Sequence, residues 1–263
     1  MIRAWNEYVR LTESRIEREL SSQEGFFAYD FQVPRKAGAD REALLSGKLV
    51  IAKARTRRVD GSDIEVPGAM IHHWRGAVFI PGVTLDAVLE AVQNPDVQNR
   101  WQEDVLESRV LERNGNSLRV YLKLIRSKIV TVTYSTEHLV QYRRHSPERA
   151  SSRTISTKVA ELANAGTSAE RGKPEGEDRG FLWRLNSYWR YQEMDGGVLV
   201  ECESLTLSRS IPTILAPVIG PIVRSVAEES MSRTLVSMRR RFAELRRQPT
   251  RATAARGETR VQH

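Results

Sequence analysis

The sequence predicts an α+β domain in which one face of an antiparallel sheet holds a single long C-terminal helix. Three observations lead there. Residues Phe181–Tyr191 alternate, with Phe181, Trp183, Leu185, Trp189 and Tyr191 on one side and Arg184, Asn186, Tyr188, Arg190 and Gln192 on the other. An Asp195-Gly196-Gly197 turn follows, and Val198–Leu207 returns as a partner strand. Period-two alternation with one apolar side is the mark of a sheet with one buried face. After it, Leu215, Ile219, Ile222, Val226, Leu235, Met238, Phe242 and Leu245 recur mostly at three- and four-residue steps, a stripe suited to lying across that face.

The remaining elements fall in order. Residues 3–20 read as an amphipathic helix with Trp5, Tyr8, Ile16 and Leu20 near one side. Phe26–Phe31 is a short apolar patch ended by Pro34, and Asp40–Leu45 offers one or two helical turns. Lys48–Arg57 and Ala69–Ile80 read as strands joined through an Asp60-Gly61 turn. Thr84 caps a helix over Leu85–Gln93, because its hydroxyl satisfies a free first-turn amide. A second short helical piece is expected near Asp96–Gln102. Strands follow near Val105–Glu112, Ser117–Ile125, Lys128–Gln141 and Ala150–Glu161, the first two joined by Asn114-Gly115. Residues 164–178 are loop-like. Strands segregated from helices argue for a two-layer α+β domain rather than a parallel α/β sheet.

Bulk properties narrow the function. The 263 residues are 40% hydrophobic and 28% charged, ordinary for a soluble domain with a sizeable core. The net charge is +8, but residues 239–263 carry eight arginines against two glutamates, so +6 of it sits in the C-terminal end. The basicity therefore belongs to the end of the last helix and the tail behind it, of which 248–263 is expected to be disordered, and not to a nucleic-acid groove. The first residues lack the apolar core of a signal peptide, so a cytoplasmic protein is expected as written; a misplaced start codon would allow export instead. The single Cys202 leaves no internal disulfide.

Chemistry-bearing motifs are sparse. His72 and His73 are neighbours on a strand and point to opposite faces, so they cannot chelate one metal together. No zinc spacing, nucleophile elbow, P-loop or dinucleotide fingerprint occurs, and neither metal nor cofactor is expected. Cys202 reads as a buried structural thiol. His73, His138, Glu137 and Arg153 are the candidates should acid–base chemistry exist, but no residue is assigned a catalytic role.

Several phrases resemble uncharacterised bacterial members of the START-like superfamily, also called SRPBCC or Bet v 1-like. They are Ile71-His72-His73-Trp74-Arg75-Gly76-Ala77-Val78-Phe79-Ile80-Pro81-Gly82, Gly180–Glu193, Val200-Glu201-Cys202-Glu203-Ser204, and Ile219-Gly220-Pro221-Ile222-Val223. The resemblance covers residues 66–246. It implies the helix-grip fold, a curved antiparallel sheet wrapped around the long C-terminal helix. The expected organisation is an N-terminal helical extension with a first strand over 1–65, packing on a helix-grip domain over 66–247. The resemblance also implies an apolar cavity between sheet and helix for a lipid-like hydrophobic small molecule, without a cofactor. Some members of the superfamily became enzymes, so a cyclase- or hydrolase-like activity on a hydrophobic substrate is the alternative.

The alternation names the lining. Trp183, Leu185, Ser187, Trp189 and Tyr191, with Val200, Cys202 and Ser204 on the partner strand, mix large rings with small hydroxyls. Such a mixture leaves space and supplies a few hydrogen-bonding groups, where a plain core would be Val, Ile and Leu throughout. Tyr134 and His138 extend the surface, and Ile222 and Val226 face it from the helix. Arg190 opposite Glu201 and Tyr188 opposite Glu203 form a ladder on the other face, expected to be solvent-side. The apolar stretch Ile211–Ile222, broken by three prolines and a glycine, reads either as a gate or membrane-touching lip or as an ordinary buried connection. Contact with a membrane surface through this lip and the arginine tail is a third expectation. The oligomeric state is not legible in the residues.

Overall fold

The computed structural model describes residues 1–127, 130–174, 176–194, 196–210 and 216–247, with the side chains of 216–225, 227, 246 and 247 outside that description. Of the predicted lip Ile211–Ile222, residues 211–215 and the side chains of 216–222 lie outside the described residues, as does the tail over 248–263.

Four α-helices and nine strands are described: α1 (Ile2–Leu20), α2 (Pro34–Leu45), β1 (Val50–Lys53), β2 (Ala69–Pro81), α3 (Leu85–Val92), then, after a 3-10 turn over Pro95–Arg100, β3 (Val105–Asn114), β4 (Ser117–Ser127), β5 (Thr131–Ser146), β6 (Arg149–Ala163), β7 (Arg171–Gly172), β8 (Arg184–Met194), β9 (Gly197–Arg209) and α4 (Ala216–Arg247). The strands form one antiparallel sheet in the order β1-β2-β9-β8-β6-β5-β4-β3, with the short β7 beside β6. Register shifts in the β3/β4 and β5/β6 ladders bend the sheet. This is the α+β sheet with a terminal helix that the alternation predicts, in the helix-grip arrangement that the resemblance implies.

Local signals explain most element ends. The Thr84 hydroxyl accepts from the Ala87 amide at 3.3 Å and starts α3. Pro34 does not close the apolar patch before it, as expected from the sequence, but opens α2 at its first turn, where a missing amide costs nothing. The 32-residue α4 includes Pro217 and Pro221 in its first two turns.

The helix α4 runs along β2, and Gly76 sets how close it comes. A Cβ built on Gly76 would stand 2.7 Å from both Leu235 Cδ1 and Met231 Cγ. Leu235, Met231, Met238 and Phe242 pack there with Trp74, Val78, Ile80, Val198 and Val200, and α3 closes the group with Leu85, Val88 and Leu89. Gly76→Val is therefore expected to lift the helix and cost about 1–3 kcal/mol by overpacking. Urea unfolding checks this; an unchanged midpoint would show that the helix gives way freely.

The two-layer expectation needs a correction, because the molecule has a third layer. The helix α1 and residues 26–45 cover the outer, convex side of the sheet. Trp5, Tyr8 and Ile16 pack with Tyr188, Leu205 and Leu207. Phe26, Phe27, Tyr29 and Leu44 pack with Ala77, Phe79 and Leu199. Consequently β9 is buried on both sides over most of its length.

Candidate functional site: the concave face

The register places the predicted lining. Across the β8/β9 ladder, Leu185 faces Thr206, Ser187 faces Ser204, Trp189 faces Cys202 and Tyr191 faces Val200. These residues share the side of the sheet on which Gly76 meets α4, because Gly76 pairs with Cys202. Tyr134 and His138 of β5 pair with Leu124 and Val120 of β4, and His138 pairs with Ser156 of β6. On α4, Val226 is half-buried. Trp183 is placed elsewhere. It precedes β8, packs with the outer group around Tyr188, Leu205 and Leu207, and donates from Nε1 to Asp178 at 3.0 Å. The alternation fails there because the strand begins one residue later.

The concave face has a filled end and a less filled end. Tyr191, Val200 and Cys202 are buried against Met231, Leu235, Met238 and Phe242. Trp189 stacks on Tyr191 with ring centres 6.3 Å apart and an interplanar angle of 5°. By contrast Leu185, Ser187, Trp189, Ser204 and Thr206 all keep partial exposure, although they face inward. Their outward neighbours Asn186, Tyr188, Arg190, Glu203 and Leu205 are closed off.

Hydrogen bonding on this face is also incomplete. The Thr136 hydroxyl donates to the Leu122 carbonyl at 3.0 Å. Its oxygen therefore receives the Nε2–H of His138 at 2.9 Å. His138 is 2% exposed, and its Nδ1 has no partner among the described residues. Burial alone pushes the His138 imidazole down to about 4, so it is neutral at physiological pH. The Tyr134 hydroxyl, also buried, has no partner among the described residues, and burial followed by the nearby Glu161 and Asp178 charges keeps it protonated. His72, bonded to Ser208 at 2.9 Å, is pushed down to about 4 by burial and then by Lys53. Burial pushes the Cys202 thiol up, with Glu203 and Glu201 adding to it, which leaves it a poor nucleophile.

The opposite face corrects the solvent-side expectation. Arg190 pairs with Glu201 and Tyr188 with Glu203, as the turn implied, but Arg190, Glu201 and Glu203 are 2–4% exposed. They form a buried network under α1. Arg15 donates to both carboxylate oxygens of Glu19 at 2.8 Å and bonds Glu203. Arg190 bonds Glu19, donates to the Phe26 carbonyl at 2.8 Å and lies 3.6 Å from Glu201. The Ala28 amide donates to both oxygens of Glu201 at 2.9 and 3.1 Å. The Thr56 amide donates to the Tyr8 hydroxyl at 2.9 Å, that hydroxyl is hydrogen-bonded to His73 Nδ1 at 2.8 Å, and His73 Nε2 is hydrogen-bonded to Glu203 at 2.5 Å. Burial alone would raise the Glu203 carboxyl, but His73, Arg15 and Arg190 outweigh it and hold it at about 2. Glu201 is raised by burial, only partly countered by Arg190.

The Tyr8–His73–Glu203 chain has the hydrogen-bond order of an acid–base relay, yet α1 seals it. A recess lined by Tyr29, Arg75, Ala77 and Glu201 among others holds ≈ 20 Å³, about enough for one water, and does not include Tyr8, His73 or Glu203. A second recess of ≈ 480 Å³ is open surface beside Ser14, Glu17, Arg18 and Ser21 of α1, away from the concave face. A signal for the burial was present in the sequence. Leu199, Leu205 and Leu207 sit on the same strand face as Glu201 and Glu203, and a half-apolar outer face needs cover.

Among the described residues, no three His, Cys, Asp or Glu side chains gather as metal ligands, and no helix is long and apolar enough to cross a membrane.

The strand order, the bent sheet and the terminal helix lying along it decide the architecture. The fold is a helix-grip. Solved structures similar to it include a STAR-related lipid transfer protein from Xanthomonas axonopodis, 16% identical over 73% of this chain and 98% of that one, with a TM-score of 0.48. Another is the Zhui aromatase/cyclase from Streptomyces sp. R1128, 11% identical over 72% and 99%, TM-score 0.47. A third is a START superfamily protein from Mycobacterium smegmatis, 11% identical over 67% and 98%, TM-score 0.41. At these identities the likeness concerns fold alone. No known family's sequence profile matches the chain, and neither does any curated protein.

Proposed function

We propose that this START-like chain binds a hydrophobic small molecule, lipid-like in character, between the concave sheet face and α4. The observation that carries this reading is the inverted burial of β8 and β9. Leu185, Ser187, Trp189 and Ser204 face the helix yet keep partial exposure, while the outward residues are sealed. A face of rings, methyls and sparse hydroxyls that is not packed shut suits an apolar guest, whose burial contributes roughly 25 cal/mol per Å². Trp189, Leu185, Ser187 and Ser204 would contact it, with Tyr134 and His138 further along the face and Val226 across from them. Tyr191, Val200 and Cys202 would form the floor. A carrier fits better than an enzyme: the inward-facing histidines, His72 and His138, are held near 4 and accept protons poorly at neutral pH.

Native mass spectrometry of protein purified from its own host tests the reading. An apolar molecule at about one per chain is expected, with Trp189→Ala reducing its occupancy. Protein that arrives empty and shows no saturable binding of any lipid overturns it. Membrane delivery is a finer proposal, drawn from the apolar Ile211–Ile222 stretch and the arginine tail. Liposome co-sedimentation that does not change when residues 248–263 are removed would refute the tail's part.

A further inference from the structure

The partnerless nitrogen of His138 restricts what the guest can be. Thr136 has one hydroxyl hydrogen, and the Leu122 carbonyl can only accept, so that hydrogen is committed. The Thr136 oxygen must then accept from His138, which puts the ring hydrogen on Nε2. Nδ1 is left as a bare lone pair, buried on the concave face and without a donor among the described residues. A buried acceptor that lost its water and gained nothing in return carries a penalty of about 1–3 kcal/mol. Valine, common in this face at Val120 and Val140, would avoid it.

We propose that Nδ1 of His138 accepts a hydrogen bond from the bound molecule, so that the chain selects a neutral, hydroxyl-bearing lipid such as a fatty or isoprenoid alcohol or a sterol. This rests on the proposed hydrophobic-guest reading and goes beyond it by naming the polar group. A carboxylate fits poorly, because it presents lone pairs to a lone pair. No charged side chain contributes to the state of His138, so an anion there would also lie unpaired in an apolar surround. An ether of the same length fits poorly for want of a donor. Thr136 acts as a positioning residue, since it fixes which nitrogen carries the hydrogen.

The test compares dodecan-1-ol, 1-methoxydodecane and dodecanoate at pH 7.5, by native mass spectrometry and by quenching of tryptophan fluorescence. The alcohol is expected to bind about tenfold more tightly than the ether, the worth of one buried neutral hydrogen bond, and more tightly than the anion. His138→Leu should abolish the alcohol's advantage while the ether binds as before. Thr136→Val, which frees the ring to place its hydrogen on either nitrogen, should shrink the advantage with the melting temperature followed in parallel. Equal binding of alcohol and ether by the natural chain overturns the donor recognition and leaves the hydrophobic-guest reading standing. So does tighter binding of dodecanoate. An alcohol preference that survives His138→Leu overturns the role of His138. Binding of none of the three overturns this inference and counts against the guest reading as well.

Discussion

Arg190→Met is expected to lower the unfolding free energy by about 3–5 kcal/mol, the cost of leaving buried charges without their partner. Arg190 joins Glu19 of α1, the Phe26 carbonyl and Glu201 of β9. Without it, Glu201 keeps the Ala28 amide and the more distant Arg75, and Glu19 keeps Arg15. The loss should appear first in the outer layer, because two of these three partners of Arg190 lie in residues 1–45. Urea titration measures the total. Limited proteolysis reads the location: cutting between α1 and α2 should accelerate before the sheet is attacked. Adding Glu201→Leu to Arg190→Met should recover part of the loss, since an apolar pair of similar volume carries no desolvation penalty. A loss below about 1 kcal/mol would mean that water reaches the network and screens it.

Acid should destabilise the protein in two steps. His72 and His138 fall from an ordinary 6.5 to about 4 on folding. Between those values the unfolded chain binds protons that the folded chain refuses, so stability is complete above pH 6.5 and is lost as pH falls toward 4. Each contributes up to about 3 kcal/mol. Glu203 falls from 4.5 to about 2, so its contribution is present above pH 4.5 and is lost as pH falls through about 2. Glu201 acts in the opposite sense. Its raised carboxyl makes the charged form costly, and protonation on acidification relieves that cost. The urea midpoint followed from pH 7 to pH 2 should therefore decline first in the histidine window. His138→Leu should remove about half of that decline, and Glu203→Gln should flatten the lower one. A midpoint constant from pH 7 to pH 4 would show that both histidines are solvated.

The two steps have a consequence for the guest. His138 remains neutral until pH falls to about 4, so recognition through Nδ1 should hold across the physiological range. It ends only where the fold itself is weakened.

Much of this was legible in the residues. Alternation named the faces of β8 and β9, and the two-residue turn read at Asp195-Gly196 implied their register, down to Arg190 opposite Glu201 and Tyr188 opposite Glu203. Opposite facing of His72 and His73 followed from strand geometry alone, and the structure sends one to Ser208 and the other to Tyr8 and Glu203. The Thr84 cap was a local hydrogen-bond argument and needed no tertiary context. Trp183 was misplaced because alternation says which side a residue takes only inside a strand, and β8 starts at Arg184.

What period-two alternation cannot say is what stands against the polar side. Charges opposite one another on a strand pair look the same whether water or a helix covers them. The deciding partners, Tyr8, Arg15 and Glu19, lie more than a hundred residues from Arg190 and Glu203 in the chain, and the packing that joins them is long-range. So the sequence by itself determined the α+β class, the strand faces and the terminal helix, because these depend on neighbours two to four residues apart. Only the tertiary structure decided that α1 buries the convex face and that His138 is left with a bare nitrogen on the concave one. Burial and hydrogen-bond satisfaction are properties of which surfaces meet, and distant segments settle that together.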